Sequence, residues 1–398
     1  MAIINPFSIH ELMPQEEKLE VTVNKSDLTI GIPKELYFQE KRVCLTPEAV
    51  NTLTNNGHKI LIEQGAGKGA GYSDREFSEA GAEVTPDIKK VYASAMILKV
   101  EPPTVEEIAM MNTGAFLVSA IQIKTRDKTY FEALQKKKIT ALGFEFFKDA
   151  DGSNPMVKSL SEIAGIATIM IASEIMGNPE TGKGLLLGNI TGVPPTEVVI
   201  LGSGTVAEYA AKTALGLGAN VKIFDNSVAR LRRIQNQLSN RVFTSTIQDK
   251  LLLKALRRCD VVIGALSGVN RSPIVVTENM VEFMKEGSVI VDVSIDTGGC
   301  FETSEVTNHK KPTFIKHGVV HYCVPNIPSR YSKTASQAMS NILIPYLLQI
   351  GENGGVESAI RYDADLKNGI YMYHGVLTNK KIADWFGLTA REINLILF

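Results

Sequence analysis

Gly202, Gly204 and Ala207 stand at the spacing G-x-G-x-x-A, directly after the apolar run VVILG and at the start of the Ala-rich stretch TVAEYAAKTALG. Glycine at the first position permits a tight turn, and glycine at the second lets backbone approach a pyrophosphate. A small third residue allows the helix to pack closely on the strand. The N–H groups of Ser203, Thr205 and Val206 would then face the phosphates, aided by the dipole of the helix they open. Asp225 closes the next apolar run, ANVKIFD, where a carboxylate can accept bonds from a ribose hydroxyl and repel a 2′-phosphate. The expected cofactor is NAD in preference to NADP. The glycines alone also fit a tight βα turn without ligand; the flanking strand, helix and terminal acid favour the dinucleotide.

Other reactive side chains are sparse. The six histidines are His10, His58, His309, His317, His321 and His374, so none lies between 58 and 309. The four cysteines (Cys44, Cys259, Cys300, Cys323) form no CxxC and no Cys/His ligand spacing. No metal site and no disulfide framework are expected, and reduced thiols fit a cytoplasmic chain.

Positioning such a motif takes alternating strands and helices. LTIGIP, KILIEQ, SAMILKV, AFLVSAIQI and ITALGFEFF read as strands separated by helical segments. Thr46 is the expected N-cap, with Pro47 at N1, of the first helix, which should end near Asn56-Gly57. A second series, VVILG, ANVKIFD, DVVIGAL and SVIVDVS, follows the Gly/Pro-rich stretch at 182–195. Between the two, LSEIAGIATIMIASEIMG (160–177) reads as a long helix joining two lobes, and 336–350 as another near the end. Residues 1–27 read as an N-terminal arm. Alternation of this kind predicts an α/β fold with mostly parallel, doubly wound sheets.

Composition agrees with a globular chain. Its 398 residues are 44% hydrophobic and 21% charged, with 42 Lys+Arg against 43 Asp+Glu. That balance gives no basic excess for nucleic acid. No apolar run approaches the ~18–20 residues of a membrane span, and no signal peptide is read at the start.

Further segments carry a family resemblance over nearly the whole chain after residue 27. GIPKE…KRVCLTPEAV (31–50), EQGAGKGAGYSD (63–74), LKVEPP (98–103), SLSEIAG (159–165), VDVSIDTGGCFE (291–302) and HYCVPNIPS (321–329) occur in the order found in alanine dehydrogenases. The broader pattern is similar to the hydride-transferring domain of nicotinamide nucleotide transhydrogenase. The resemblance implies a central Rossmann NAD-binding domain (165–335) inserted into a discontinuous, flavodoxin-like catalytic domain (28–164 and 336–398). It also implies a homo-oligomer, commonly a hexamer, acting on a small substrate of the L-alanine/pyruvate class.

Carried over position by position, the resemblance makes Arg42 the arginine that holds a substrate carboxylate, and Asp296 the active-site aspartate beside the nicotinamide. Asn326 and Ser161 match cofactor contacts. An ion pair for Arg42, an Asx turn for Asp296 and capping roles for Asn326 and Ser161 are the alternatives. Two positions depart from the family. Its catalytic lysine is matched by Glu101, with Lys99 two residues earlier on the same strand face; Lys99 is expected either to reach across to a carboxylate or to be a solvated charge. The family's histidine is matched by Gln122, which can orient a carbonyl but cannot exchange a proton near neutrality. Three functions follow: NAD-dependent oxidative deamination of L-alanine, hydride transfer on an altered substrate, or an NAD(H)-binding paralogue without turnover.

Overall fold

The computed structural model describes residues 25–37, 39–148, 152–180, 182–238, 241–268 and 271–397. The arm expected at 1–27 lies outside the described residues except for its last three positions.

The chain lays down β1 (Thr29–Ile32), β2 (Lys59–Glu63), β3 (Glu83–Thr85), β4 (Met96–Leu98), β5 (Phe116–Ser119) and β6 (Thr140–Gly143) before the first long helix. It then forms β7 (Glu197–Leu201), β8 (Asn220–Phe224), β9 (Phe243–Ser245), β10 (Val261–Gly264), β11 (Val289–Asp292), β12 (Thr313–Lys316) and β13 (Val319–Tyr322). A hairpin, β14 (Ile370–Tyr373) and β15 (Val376–Leu377), follows the second long helix. Two sheets result. The outer one has the order β15-β14-β6-β5-β4-β1-β2-β3, and the inner one the order β12-β13-β11-β10-β7-β8-β9.

Pairing is parallel among β1–β6 and from β9 across to β13, while β12, β14 and β15 pair antiparallel. Without the three-residue edge strand β3, the parallel outer strands run in flavodoxin order; the inner sheet has the Rossmann order 3-2-1-4-5-6. Helices cover both faces of each, so β5, β6, β10, β11 and β13 are buried throughout. Each sheet reverses winding direction next to its first strand, at β1 between β2 and β4 and at β7 between β8 and β10. Crevices for ligands open at the carboxyl ends of strands at such points.

Two long helices join the lobes. The linking helix, Pro155–Gly177, starts five residues before the expected 160, because Asn154 accepts the Val157 N–H at 2.8 Å and Pro155 occupies the first turn. Met156 and Leu160 pack in the outer core, whereas Ala167, Ile169, Ile171, Ala172 and Met176 pack in the inner core. The helix therefore changes lobes along its own length. It is also long and apolar enough to cross a membrane, which corrects the expectation that nothing approaches a span. Part of that apolar surface packs against both cores, while Val157, Ile166 and Met170 are exposed. The return helix, Ser332–Glu352, brings Met339, Leu343, Leu347 and Ile350 back to the outer core. β14 then pairs with β6, so both ends of the described chain build one sheet.

Candidate active site

The nucleotide motif lies where the inner sheet reverses. Gly202 follows β7 at φ 111°, and a Cβ there would stand 2.3 Å from the Ala265 carbonyl oxygen, so only glycine fits. Gly204 caps the helix Thr205–Gly216 without any side-chain bond to its first turn, and a Cβ on Gly204 would point into open space. Orphan N–H groups at a helix start beside a bare glycine suit a pyrophosphate. Ala207 is fully buried, as close helix–strand packing requires. Gly165 of the linking helix touches the same helix: a Cβ there would lie 2.5 Å from the Val206 carbonyl oxygen. Ser161, one turn earlier, shares that face of the linking helix.

Asp225 follows β8 and is buried. One carboxylate oxygen accepts the Ser203 hydroxyl at 2.7 Å, and the other accepts the Ser227 N–H at 2.7 Å. A carboxylate has about four acceptor positions, so capacity remains for ribose hydroxyls. Arg233 donates to the Ser203 carbonyl at 3.0 Å and fixes the turn from behind. Backbone donors, bare glycine and terminal acid thus fit NAD(H).

The other half of the site is built at the carboxyl ends of three adjacent outer strands. Arg42 follows β1, Glu101 follows β4 and Gln122 follows β5. The loop carrying Arg42 is stitched to the returning chain. Ser329 Oγ accepts the Lys41 N–H at 3.0 Å, Ser336 Oγ the Val43 N–H at 2.9 Å, and Ser340 Oγ the Thr46 N–H at 3.1 Å. These serines are fully buried, so each satisfies a backbone donor that water cannot reach.

Arg42 is buried, and its fork is closed by Glu40: Nε donates to Oε1 at 2.7 Å and Nη2 to Oε2 at 2.5 Å. Burial works against ionisation of Glu40, but the Arg42 charge and hydrogen bonds outweigh it and hold the carboxyl below its usual range. Glu40 also accepts from Asn326 Nδ2 at 2.8 Å, and the Asn326 N–H donates to Asp296 Oδ1 at 3.0 Å. Asn326 therefore ties an outer-lobe carboxylate to an inner-lobe one, and it does so in the left-handed conformation, at φ 56°. Asp296 lies in the short 3-10 turn Val293–Thr297 after β11. Its side chain opens to the cleft yet is ringed by protein, and that desolvation raises its pKa to about 6.

Glu101 stands beside this group. It accepts the Gln122 amide at 2.5 Å and lies beside the Glu40 carboxyl. Burial, followed by the Glu40 charge, raises its pKa to about 7. Gln122 is held at φ 48° by Glu145, whose carboxylate accepts the Ile121 and Gln122 N–H groups at 3.0 and 2.8 Å.

Lys99 differs from both expectations. It is neither solvated nor free to reach a substrate: its ammonium, 2% exposed, lies 2.8 Å from Glu107 and 3.4 Å from Glu35. Burial opposes its charge, but those two carboxylates overcome the penalty and raise its pKa. Tyr92 donates to the same Glu107 oxygen at 2.5 Å. Glu35 also accepts the Val100 N–H at 2.6 Å, so this ion pair anchors the β4 end and fixes the backbone that presents Glu101. Lys99 is thus a structural cation, and Glu101 is the residue beside Arg42.

Glu35, Glu40, Glu107 and Glu145 are roles the sequence reading missed. Glu35 and Glu40 sit beside Arg42 in KELYFQEKR, where paired acids flanking a buried arginine were a signal. Ser336 and Ser340, one helical turn apart in an apolar stretch, were another. Among the described residues no group of three His, Cys, Asp or Glu is placed to hold a metal ion.

Comparison with known proteins agrees with this layout. Residues 31–164 match the profile "Alanine dehydrogenase/PNT, N-terminal domain", and residues 168–380 its C-terminal counterpart. The chain is 36% identical to an alanine dehydrogenase of Halomonas elongata over 363 residues, 91% of this chain and 97% of that protein. A solved L-alanine dehydrogenase superposes with TM-score 0.84 at 36% identity, covering 90% of this chain and 99% of the other. A transhydrogenase from Sinorhizobium meliloti shares the fold, with TM-score 0.75 at 24% identity, over 89% and 99% of the two chains. Sequence, fold and the paired strand-end clusters converge: the chain belongs to the alanine dehydrogenase/PNT family.

Proposed function

We propose that the protein is an NAD-dependent dehydrogenase that oxidises the nitrogen-bearing carbon of a small substrate in the cleft between its lobes. The observation that carries this reading is the bridge Asp296–Asn326–Glu40–Arg42, which joins the nucleotide lobe to the outer lobe at facing strand ends. Bound NAD supplies the two-electron acceptor. The chain's own residues do the rest. Asp296, half-ionised near pH 6, accepts a proton from the substrate ammonium. Arg42 and Gln122 orient the group next to the reacting carbon, which counts because alignment supplies much of the rate. Conversion of L-alanine to pyruvate and ammonium, the activity named for the relatives, is the reference reaction. Four buried free cysteines fit a reducing compartment, and we place the protein in the cytoplasm as a homo-oligomer.

A second reading, an NAD(H)-binding paralogue without turnover, is favoured by Gln122, which cannot exchange a proton. Steady-state assays with NADH, pyruvate and ammonium separate the two, run on the wild type and on a variant carrying Glu101→Lys and Gln122→His. NADH oxidation that requires both pyruvate and ammonium, faster in the variant, is expected. No oxidation by either protein, with NADH binding intact, would select the paralogue.

A further inference from the structure

Oxidative deamination moves protons twice. Asp296 takes the ammonium proton before hydride leaves the substrate carbon. Water must then add to the C=N bond so formed, and nitrogen must be protonated to depart. Gln122 cannot carry that second proton. Most other acids around the cleft are committed elsewhere. Glu35 and Glu107 hold Lys99, while Glu40 gives both oxygens to Arg42 and one of them also to Asn326. Glu145 accepts the Ile121 and Gln122 N–H groups, and buried Asp292 accepts the Cys300 N–H and the Ser304 hydroxyl. His309 faces Lys41, Arg330 and Glu40, but its Nε2 is shut off from water and has no partner.

Glu101 is the exception. It is half-buried after β4, with Glu40 and Arg42 beside it, and among the described residues no ammonium or guanidinium bonds to it. Its backbone is pinned, because the neighbouring Val100 N–H donates to Glu35 at 2.6 Å and Pro102 and Pro103 follow. Gln122 Nε2 fixes one carboxylate oxygen at 2.5 Å, from a residue itself locked at φ 48°. This carboxyl is therefore aimed and still has an oxygen to offer. Its pKa of about 7 suits both uptake and release of a proton at neutrality.

We infer that Glu101 is the acid/base of the hydrolytic half of the reaction, passing a proton from the attacking water to the departing nitrogen, with Gln122 as its positioning residue. This rests on the dehydrogenase reading above and completes its proton transfers. Water forms a C–O bond at the iminium carbon as one of its protons passes to the Glu101 carboxylate. Glu101 returns that proton to nitrogen as the C–N bond breaks, and the hydroxyl proton passes to Glu101 as the C=O bond forms. Ammonia leaves and takes up one of the two protons then held by Asp296 and Glu101; the other goes to solvent. The sum is a keto acid, ammonium, NADH and one proton from the amino acid, NAD+ and water.

Stopped-flow with NAD+ and L-alanine separates the two halves, because hydride transfer yields the first NADH and hydrolysis governs the turnovers that follow. Wild type, Glu101→Gln, Glu101→Asp and His309→Gln are compared, and calorimetric affinity of pyruvate for each protein–NADH complex checks the pocket. Glutamine keeps an acceptor for Gln122 and a donor for a substrate carboxylate, so a purely binding role would survive it. Glu101→Gln should form one NADH per site at a rate within about threefold of wild type. It should then turn over about 10²-fold more slowly or worse, with pyruvate affinity retained. Glu101→Asp should recover part of that turnover, and His309→Gln should match wild type. The inference is overturned if Glu101→Gln turns over normally, loses its first turnover in parallel, or loses pyruvate affinity. A hydrolytic defect in His309→Gln in place of Glu101→Gln overturns it too. No NADH from wild type while NADH still binds removes the dehydrogenase reading, and the inference with it.

Discussion

Asp296 and Glu101 are the cleft carboxyls whose proton affinities are displaced toward neutrality, and each gives a distinct pH signature. For Asp296, ionisation at about 6 in the free protein should appear as the acid limb of kcat/KM. Asp296→Asn should abolish that limb and lower kcat/KM by about 10²–10⁴-fold, the usual cost of a lost general base. An acid limb retained in the variant would assign proton transfer elsewhere. Glu101 speaks through stability. Its pKa rises from 4.5 to about 7, so the native state holds a proton that the unfolded chain releases earlier. Stability from this group is complete below pH 4.5 and is lost as pH rises through 7. Glu35, also raised to about 7 by burial, adds a decline of the same sign. Denaturant midpoints from pH 4.5 to 7 should therefore fall less steeply in Glu101→Gln than in wild type. The identity of these residues was legible in sequence, whereas their partners were not. Lys99 and Glu101 share a strand face, but only the fold brings Glu107, eight residues on, under Lys99. No spacing rule reveals that a cation is already engaged.

At the scale of elements, strands buried on both faces announced themselves as continuous apolar runs, which is why β1, β2, β4–β8, β10 and β11 were readable. The short edge strands β3 and β9 and the hairpins β12–β13 and β14–β15 were not. β3 and β9 have three residues each, and β14 pairs with β6, far earlier in the chain. His374 and Gly375, at φ 48° and 79°, form the tight turn between β14 and β15. The long helices were legible by periodicity, but their ends depended on caps such as Asn154. One element contact is exacting: the linking helix touches the nucleotide helix at Gly165. Gly165→Ala would push a methyl to within 2.5 Å of the Val206 carbonyl oxygen and 2.7 Å of Tyr209 Cβ. Overpacking of this kind costs about 1–3 kcal/mol. A lower denaturant midpoint together with weaker NADH binding is expected, since the displaced helix carries the N–H groups proposed to face the phosphates. Unchanged NADH affinity would show that the contact serves packing alone.

Across the whole molecule, two sheets present their carboxyl ends to one another, and the chain crosses between them along two helices. The nucleotide lobe supplies Asp296 and Asn326, and the outer lobe supplies Arg42, Glu101 and Gln122, so neither lobe holds the proposed site alone. Order along the chain hides this. Arg42 and Asn326 are 284 positions apart in the sequence, yet both meet on the Glu40 carboxylate. The family pattern made the facing lobes legible, while the closing of Arg42 by Glu40 emerged only from the packed loop. The direct measurement of what this cleft does is isotope transfer. Wild-type protein is incubated with NAD+ and L-alanine deuterated at Cα, and the NADH formed is analysed by mass spectrometry. Dehydrogenation in the cleft predicts deuterium in the nicotinamide ring, lost together with NADH formation in Asp296→Asn. NADH without deuterium, or no NADH formed while NADH still binds, would contradict it.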